Sequence, residues 1–284
     1  MTRPQAPVRL RHLAALLIEY REKAGKSLDD AAERIGCHRT KINRIENARL
    51  GISLGELRDL LTFYGVTDAA QVDEMVTLAQ RVREPAWIKR VLEARRSFAD
   101  FLYYETTAER IRSYQSLVVA GLLQTPDYAR AILGATPTTL LPDEAEAMLE
   151  GRMKRQEILS SPSAPHLCVV EGEAALRLQV GGREVMRKQL EHLETMAGHP
   201  SVEIRVVPYQ TGAHAALSVR SFVMFSFASP RFPDIVTLEH RTGTQYLETP
   251  EETAEYALLY DSVLSTALSP EDSLALIGQA RREM

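Results

Sequence analysis

The sequence has few of the residues from which disulfide frameworks, metal sites and membrane spans are built. It contains two cysteines, Cys37 and Cys168, and neither has the Cys/His spacing of a metal site, so we expect neither a disulfide framework nor a zinc site. No run approaches the roughly 18 apolar residues that cross a membrane. The first residues also lack the apolar stretch of a secretory signal. We therefore expect a cytoplasmic protein that makes no membrane contact.

Charge is distributed unevenly along the chain. The net charge of −4 argues at first against a nucleic-acid partner. However, residues 1–50 hold 11 Lys+Arg and 6 Asp+Glu, a net of +5, whereas residues 51–284 hold 23 and 32, a net of −9. The sequence therefore predicts that any attraction to phosphates belongs to the N-terminal part. With 284 residues and 45% apolar content, the chain is long enough for two domains with real cores.

Helical signals fill the first eighty residues. Apolar spacing predicts a helix over residues 9–24, and Ser27 is suited to cap a second helix that Gly36 ends. A third helix follows the cap position His38 and runs to about Asn47.

Two further helices complete this region. Ser53 and Glu56 have the spacing of a capping box at the start of the fourth, and the fifth covers about residues 68–82. We therefore expect an all-α, five-helix, helix-turn-helix domain over residues 9–83.

The third helix has two different faces. At 100° per residue, Ile42 and Ile45 share one side, which predicts that they are buried. A separate arc of about 140° carries Arg39, Thr40, Asn43 and Arg44. Such an arc on a short helix is often only a solvated face. The capped helix before it, the glycine turn between the two, and Asn47 and Arg49 after it favour contact with DNA.

At this point the residues resemble a known family. IGCHRTKINRIENAR followed by SLGELRDLLTFYGV resembles the helix-turn-helix of the lambda-repressor-like (XRE, xenobiotic-response-element type) transcription regulators. The resemblance implies base reading by Arg39, Thr40, Asn43 and Arg44. It implies phosphate contacts by Ser27, His38, Asn47 and Arg49, and a buried ion pair between Arg21 and Glu46.

Two positions depart from the pattern of this family. Ala48 stands where the family usually has glycine, and His38 replaces the usual Ser or Thr cap. Arginine can bond O6 and N7 of guanine bidentately, so Arg39 and Arg44 are the expected sequence readers. One recognition helix covers too few base pairs for useful specificity. We therefore expect a homodimer on a double-stranded operator.

The second domain is expected over residues 84–284, because Pro85 ends the preceding helix and the pattern changes after it. An amphipathic helix is predicted over 86–104, and a strand is favoured towards the β-branched end of 107–119. Further strands are predicted at 166–170, 202–207, 221–227, 235–239 and 244–248. Further helices are predicted from Pro126, which follows the cap Thr125, and over 143–159, 183–197, 251–267 and 270–282. This pattern indicates an α+β domain.

Several separated motifs in this region carry a second resemblance. They are GLLQTPDYAR at 121–130, GRMKRQEIL at 151–159, EGEAALRLQVGG at 171–182 and LSPEDSLALI at 268–277. In this order they resemble the large C-terminal domain, formerly of unknown function, of actinobacterial antitoxin-like regulators. The resemblance implies a small toxin-like protein partner encoded nearby. The alternative is a one-component repressor whose C-terminal domain senses a small apolar ligand.

Enzymatic chemistry is not expected. The second domain holds Glu171, Glu173 and Glu239 as possible acid or base groups. It also holds five of the seven histidines, namely His166, His192, His199, His214 and His240. No two of these groups have a recognised ligand spacing, and no Ser or Cys has an activating partner nearby in sequence. Gly181 and Gly182 are better read as a turn than as a phosphate loop. We therefore expect no catalytic residue, metal or cofactor.

Overall fold

The computed structural model describes residues 8–79, 86–94, 98–135, 141–229, 232–240 and 243–284, and the chain divides into two compact units. Unit 1 comprises the chain as far as Glu84 together with Ser229–Phe232, and unit 2 comprises the remainder. The predicted boundary at residues 83–85 lies outside the described residues, so its exact place stays a prediction.

The described residues of unit 1 form five helices, as the sequence predicts. They are α1 (Val8–Lys23), α2 (Leu28–Arg34), α3 (Arg39–Glu46), α4 (Leu54–Phe63) and α5 (Ala69–Ala79). Capping boxes begin α2 and α4: Ser27 accepts a hydrogen bond from the Asp30 amide, and Ser53 accepts one from the Glu56 amide. Leu13, Leu17 and Leu57 are among the fully buried side chains of its core.

Helices α1 to α4 all end in the same hydrogen-bonded turn. In α3, the Ala48 amide donates to the Ile45 carbonyl at 2.9 Å and the Arg49 amide donates to the Arg44 carbonyl at 2.8 Å, which is a Schellman motif. The other three helices place glycine at the residue with positive φ. Ala48 adopts φ 53° there, so this turn keeps its shape at a steric cost of about 1 kcal/mol for the alanine side chain.

Unit 2 is a mixed sheet covered by helices, which confirms the predicted α+β class. Its helices are α6 (Ala86–Ala94), α7 (Ala99–Thr107), α8 (Pro126–Ala135), α9 (Pro142–Gln156), α10 (Glu173–Arg177), α11 (Arg183–Met196), α12 (Pro250–Thr266) and α13 (Pro270–Glu283). Its strands are β1 (Arg110–Gln115), β2 (His166–Gly172), β3 (Val202–Val207), β4 (Phe222–Ser226), β5 (Ile235–His240) and β6 (Gly243–Leu247).

The six strands lie in the order β3-β2-β1-β4-β5-β6. Strands β1, β2 and β3 are parallel, and the helices that connect them supply the crossovers that parallel strands require. Strands β4, β5 and β6 join antiparallel. The carboxyl ends of β1 and β2 therefore lie side by side, with Gln115 in register with Glu171.

One face of the sheet packs against α12. The cluster includes Tyr114, Val170, Phe222 and Met224 from the strands and Tyr260 from the helix, all buried. The Tyr260 hydroxyl donates to the Cys168 carbonyl at 3.0 Å, so its polar end is satisfied inside the core. Side chains alternate along a strand, so Glu171 belongs to the opposite face.

Helices α6 and α9 approach each other closely at Gly151. A Cβ built on Gly151 would lie 2.3 Å from Val91 Cγ2, which is too short for any side chain to fit without movement. The glycine of the GRMKRQ motif is therefore required by packing. Trp87, the one tryptophan of the sequence, lies on α6 near the same point.

Two predicted elements differ from the structure. The helix expected over 86–104 is described as two helices, α6 and α7, and residues 95–97 between them lie outside the described part. The strand expected near the end of 107–119 instead begins at Arg110, and Val118 and Val119 lie beyond it. Pairing with β2 and β4 places the strand at the Arg-Ile-Arg-Ser-Tyr stretch, which lacks β-branched residues apart from Ile111.

Candidate nucleic-acid interface

The side chains of α3 divide into a buried and an exposed set. Ile42 and Ile45 are buried in unit 1. The four predicted base readers are all exposed: Arg39, Thr40, Asn43 and Arg44. Because α3 is only eight residues long, the two isoleucines fix its rotation, and this rotation presents the polar arc to solvent.

The predicted phosphate contacts lie at the ends of α2 and α3, and all four are exposed. Ser27 caps α2. His38 holds the cap position of α3 but makes no side-chain cap bond. Asn47 Nδ2 donates to the Asn43 carbonyl at 2.7 Å, and Arg49 follows the Ala48 turn. The structure thus places these residues around the polar arc of α3, and both base reading by the arc and phosphate contact by these residues stay predictions.

An ion pair beneath the arc fixes the end of α3 to α1. Arg21 Nε and Nη2 donate to the two Glu46 carboxylate oxygens at 2.7 and 2.9 Å, with side-chain exposures of 12% and 7%. Arg21 Nη1 also donates to the Lys26 carbonyl at 2.9 Å in the turn before α2. Hydrogen bonding to Glu46 raises the pKa of Arg21, so the guanidinium stays charged. The Arg21 guanidinium therefore links α1 to the end of α3 and to the turn that precedes α2.

Replacing Glu46 with alanine should destabilise unit 1 by about 3 kcal/mol, because the Arg21 cation would be left largely buried without its partner. Faster amide exchange in peptides from α1 and α3, measured by hydrogen–deuterium exchange, is the expected result. Glu22→Ala is the matched control, since it removes a half-exposed carboxylate 3.9 Å from the same guanidinium. Equal exchange rates in the two variants would show that the Glu46 pair contributes no more than a surface contact.

Two further side-chain contacts of α3 were not predicted from the sequence. Lys41 donates to Glu56, which also belongs to the capping box of α4, and hydrogen bonding to this carboxylate raises the pKa of Lys41. Arg39 Nη1 lies 3.4 Å from Asp29 Oδ2 on α2. These partners are 15 and 10 residues apart, so no spacing within a single helix could have indicated them.

In unit 2, residues 119–125 form hydrogen bonds with several buried polar side chains. The Ala120 amide donates to Glu171 Oε1 at 2.8 Å, and the Val119 amide donates to the Tyr128 hydroxyl at 3.1 Å. Gln189 accepts from the Thr125 amide and donates to the Leu123 carbonyl, both at 2.7 Å. The apolar connection before Pro126 is therefore hydrogen-bonded into the core of unit 2.

One buried carboxyl group and one buried ion pair lie near this segment. Glu171 is completely buried, and its second oxygen, Oε2, has no hydrogen-bond partner among the described residues. Burial raises the pKa of Glu171 to about 8, against the lowering effect of the Ala120 amide. Glu105 pairs with Arg155 at 2.5 and 2.6 Å, and both side chains are buried.

The three glutamates that were considered as possible acid or base groups are spread over the sheet. Glu171 and Glu173 lie at the end of β2, whereas Glu239 lies on β5, with β1 and β4 between those strands. In the described part of the chain, no group of three or more His, Cys, Asp or Glu side chains is arranged to hold a metal ion. Nor does any described helix have the length and apolar character needed to cross a membrane.

Two protein-family models match the chain, one within unit 1 and one within unit 2. A family model described as a helix-turn-helix domain matches residues 12–75, and a model described as a domain of unknown function (DUF5753) matches residues 98–279. No curated protein and no solved structure matched the chain. The helix-turn-helix match and the exposed arc of α3 support a DNA-binding regulator.

Proposed function

The chain belongs to the DUF5753 family, and we propose that it is a sequence-specific transcriptional regulator of the lambda-repressor-like (XRE) class. The observation that carries the proposal is the orientation of α3 in unit 1. Two buried isoleucines and the Arg21–Glu46 pair hold the helix, and a continuous polar arc faces outward. Arginine at two positions of this arc suits recognition of guanine in the major groove.

We further propose that the protein acts as a homodimer in the cytoplasm. A single recognition helix contacts few base pairs, and a two-fold pair of helices reads two half-sites about one turn of DNA apart. The basic excess of the first 50 residues supplies the phosphate attraction.

Selection of bound fragments from genomic DNA should test this function. The recovered sites are expected to share an inverted repeat, and their affinity should fall steeply with salt in a mobility-shift titration. Recovery of no common sequence, or binding that is independent of salt, would contradict the proposal.

For unit 2 we propose an antitoxin-like role, in which the domain binds a small protein encoded by a neighbouring gene. This proposal is supported by the four motifs that resemble actinobacterial antitoxin-like regulators. A binding role of this kind requires no catalytic group and no cofactor.

The alternative is a sensor of a small apolar ligand. A groove of about 230 Å³ lies between α8 and α9, lined in part by Leu133, Ala145 and Leu149. This volume is below the roughly 300–1,000 Å³ of typical ligand pockets, so the groove would suit a compact ligand.

Co-purification separates the two roles of unit 2. The full chain is expected to retain the product of the neighbouring gene, and binding of this partner should change the affinity for operator DNA. A purified chain that retains no such protein but releases a stoichiometric apolar compound on extraction would favour the sensor instead.

A further inference from the structure

An ion pair connects α2 to the first residue of the recognition helix. Asp29 Oδ2 lies 3.4 Å from Arg39 Nη1, with side-chain exposures of 68% and 63%. Asp29 is not needed for the cap of α2, because Asp30 makes the capping box with Ser27. A carboxylate beside a surface that must attract phosphates opposes general DNA binding. Asp29 therefore does not serve to increase the general affinity for DNA, and its position indicates another role.

We propose that Asp29 is a specificity-determining residue that positions Arg39 for base recognition. This inference rests on the proposed DNA-reading function of α3. A guanidinium has five N–H donors in a planar fork, and the contact with Asp29 uses Nη1. The edge formed by Nε and Nη2 stays available for the O6 and N7 acceptors of a guanine.

The same contact acts against binding at wrong sequences. Arg39 can gain affinity for any DNA by turning to a phosphate, but this movement leaves Asp29 unpaired beside the negatively charged backbone. In the operator complex, Arg39 bonds the base while it keeps its carboxylate partner. The pair is weak in water, and exclusion of water by the DNA strengthens it. Asp29 therefore raises the ratio of operator affinity to non-operator affinity.

A charge-matched pair of variants tests this inference in the full-length protein. Asp29→Asn removes the carboxylate that contacts Arg39. Glu33→Gln is the control, because Glu33 is also exposed and lies one turn later on the same face of α2. Each variant is titrated against the operator and against a scrambled duplex of equal length. Thermal melting of both variants shows whether α2 is intact.

Asp29→Asn is expected to lower the ratio of the two affinities roughly threefold to tenfold, chiefly through tighter binding to the scrambled duplex. Glu33→Gln should change both affinities by the same factor and leave the ratio unchanged. In an Arg39→Ala background, Asp29→Asn should have no further effect on the ratio, because the group that it positions is absent.

Three results would overturn the inference. They are an unchanged ratio in Asp29→Asn, an equal fall in Glu33→Gln, or an undiminished effect of Asp29→Asn in the Arg39→Ala background. Absence of operator binding by the wild-type protein would instead reject the proposed function itself. Normal operator binding with an unchanged ratio in Asp29→Asn would reject only the role of this residue.

Discussion

Replacing Glu105 with leucine is expected to lower the free energy of unfolding of unit 2 by about 3–5 kcal/mol. Arg155 donates from Nε and Nη2 to both oxygens of Glu105, and side-chain exposures are 8% and 3%. The guanidinium also lies 5.0 Å from the ring centre of Phe98 and 4.9 Å from that of Phe101. The variant would leave this cation buried against two aromatic rings without its counter-ion.

The double variant Glu105→Leu/Arg155→Met provides the control. It removes both charges and keeps apolar volume, so most of the lost stability should return. Urea unfolding followed by the fluorescence of Trp87 reports on unit 2, because the sequence has no other tryptophan. A double variant that is as unstable as the single variant would show that packing at Glu105, and not its charge, decides the effect.

Replacing Glu171 with glutamine is expected to change how the stability of unit 2 depends on pH. The folded-state pKa of Glu171 is about 8, against an ordinary value of 4.5, because burial disfavours the carboxylate. Between these two values the unfolded chain is deprotonated while the folded chain keeps its proton. The wild-type unit therefore loses stability as pH rises through this window, and the loss ends above the folded-state pKa.

A glutamine cannot ionise, so the variant lacks this dependence. The difference in free energy of unfolding, variant minus wild type, should therefore increase by about 3 kcal/mol between pH 5 and pH 8. Glu173→Gln is the control, because Glu173 is also buried but bonds Arg177 and the Tyr209 amide. Urea titrations at several pH values measure the slopes. Parallel pH profiles for wild type and Glu171→Gln would mean that the buried carboxyl is solvated or paired in solution.

Local sequence signals were sufficient to predict α3 and the two helices beside it. The caps at Ser27 and Ser53, the glycine turns and the spacing of Ile42 and Ile45 act within a few residues, so the sequence could place α2, α3 and α4. The exposed arc follows directly from that placement. The Arg21–Glu46 contact was expected only through the family resemblance, since 25 residues separate its partners.

Other features depend on tertiary contacts that no local pattern encodes. Glu171 was considered from the sequence as a possible acid or base, but the sequence could not show that this residue lies near the end of an interior strand and bonds the Ala120 amide. The pairs Asp29–Arg39 and Glu105–Arg155 join separate helices, so only the folded chain brings them together. Ala48 was recognised as a departure, and its φ of 53° explains how alanine occupies a turn that glycine usually makes.

The most direct test of DNA reading by α3 is the operator affinity of Arg44→Ala, measured by mobility shift at fixed salt beside Arg58→Ala. Both variants lose one exposed arginine of unit 1, but Arg58 lies on α4, outside the arc. Arg44→Ala should lose about 1–3 kcal/mol of operator binding with its fold intact, and Arg58→Ala should stay close to wild type. Wild-type affinity in Arg44→Ala, or an equal loss in Arg58→Ala, would contradict the assignment of α3 as the helix that reads DNA.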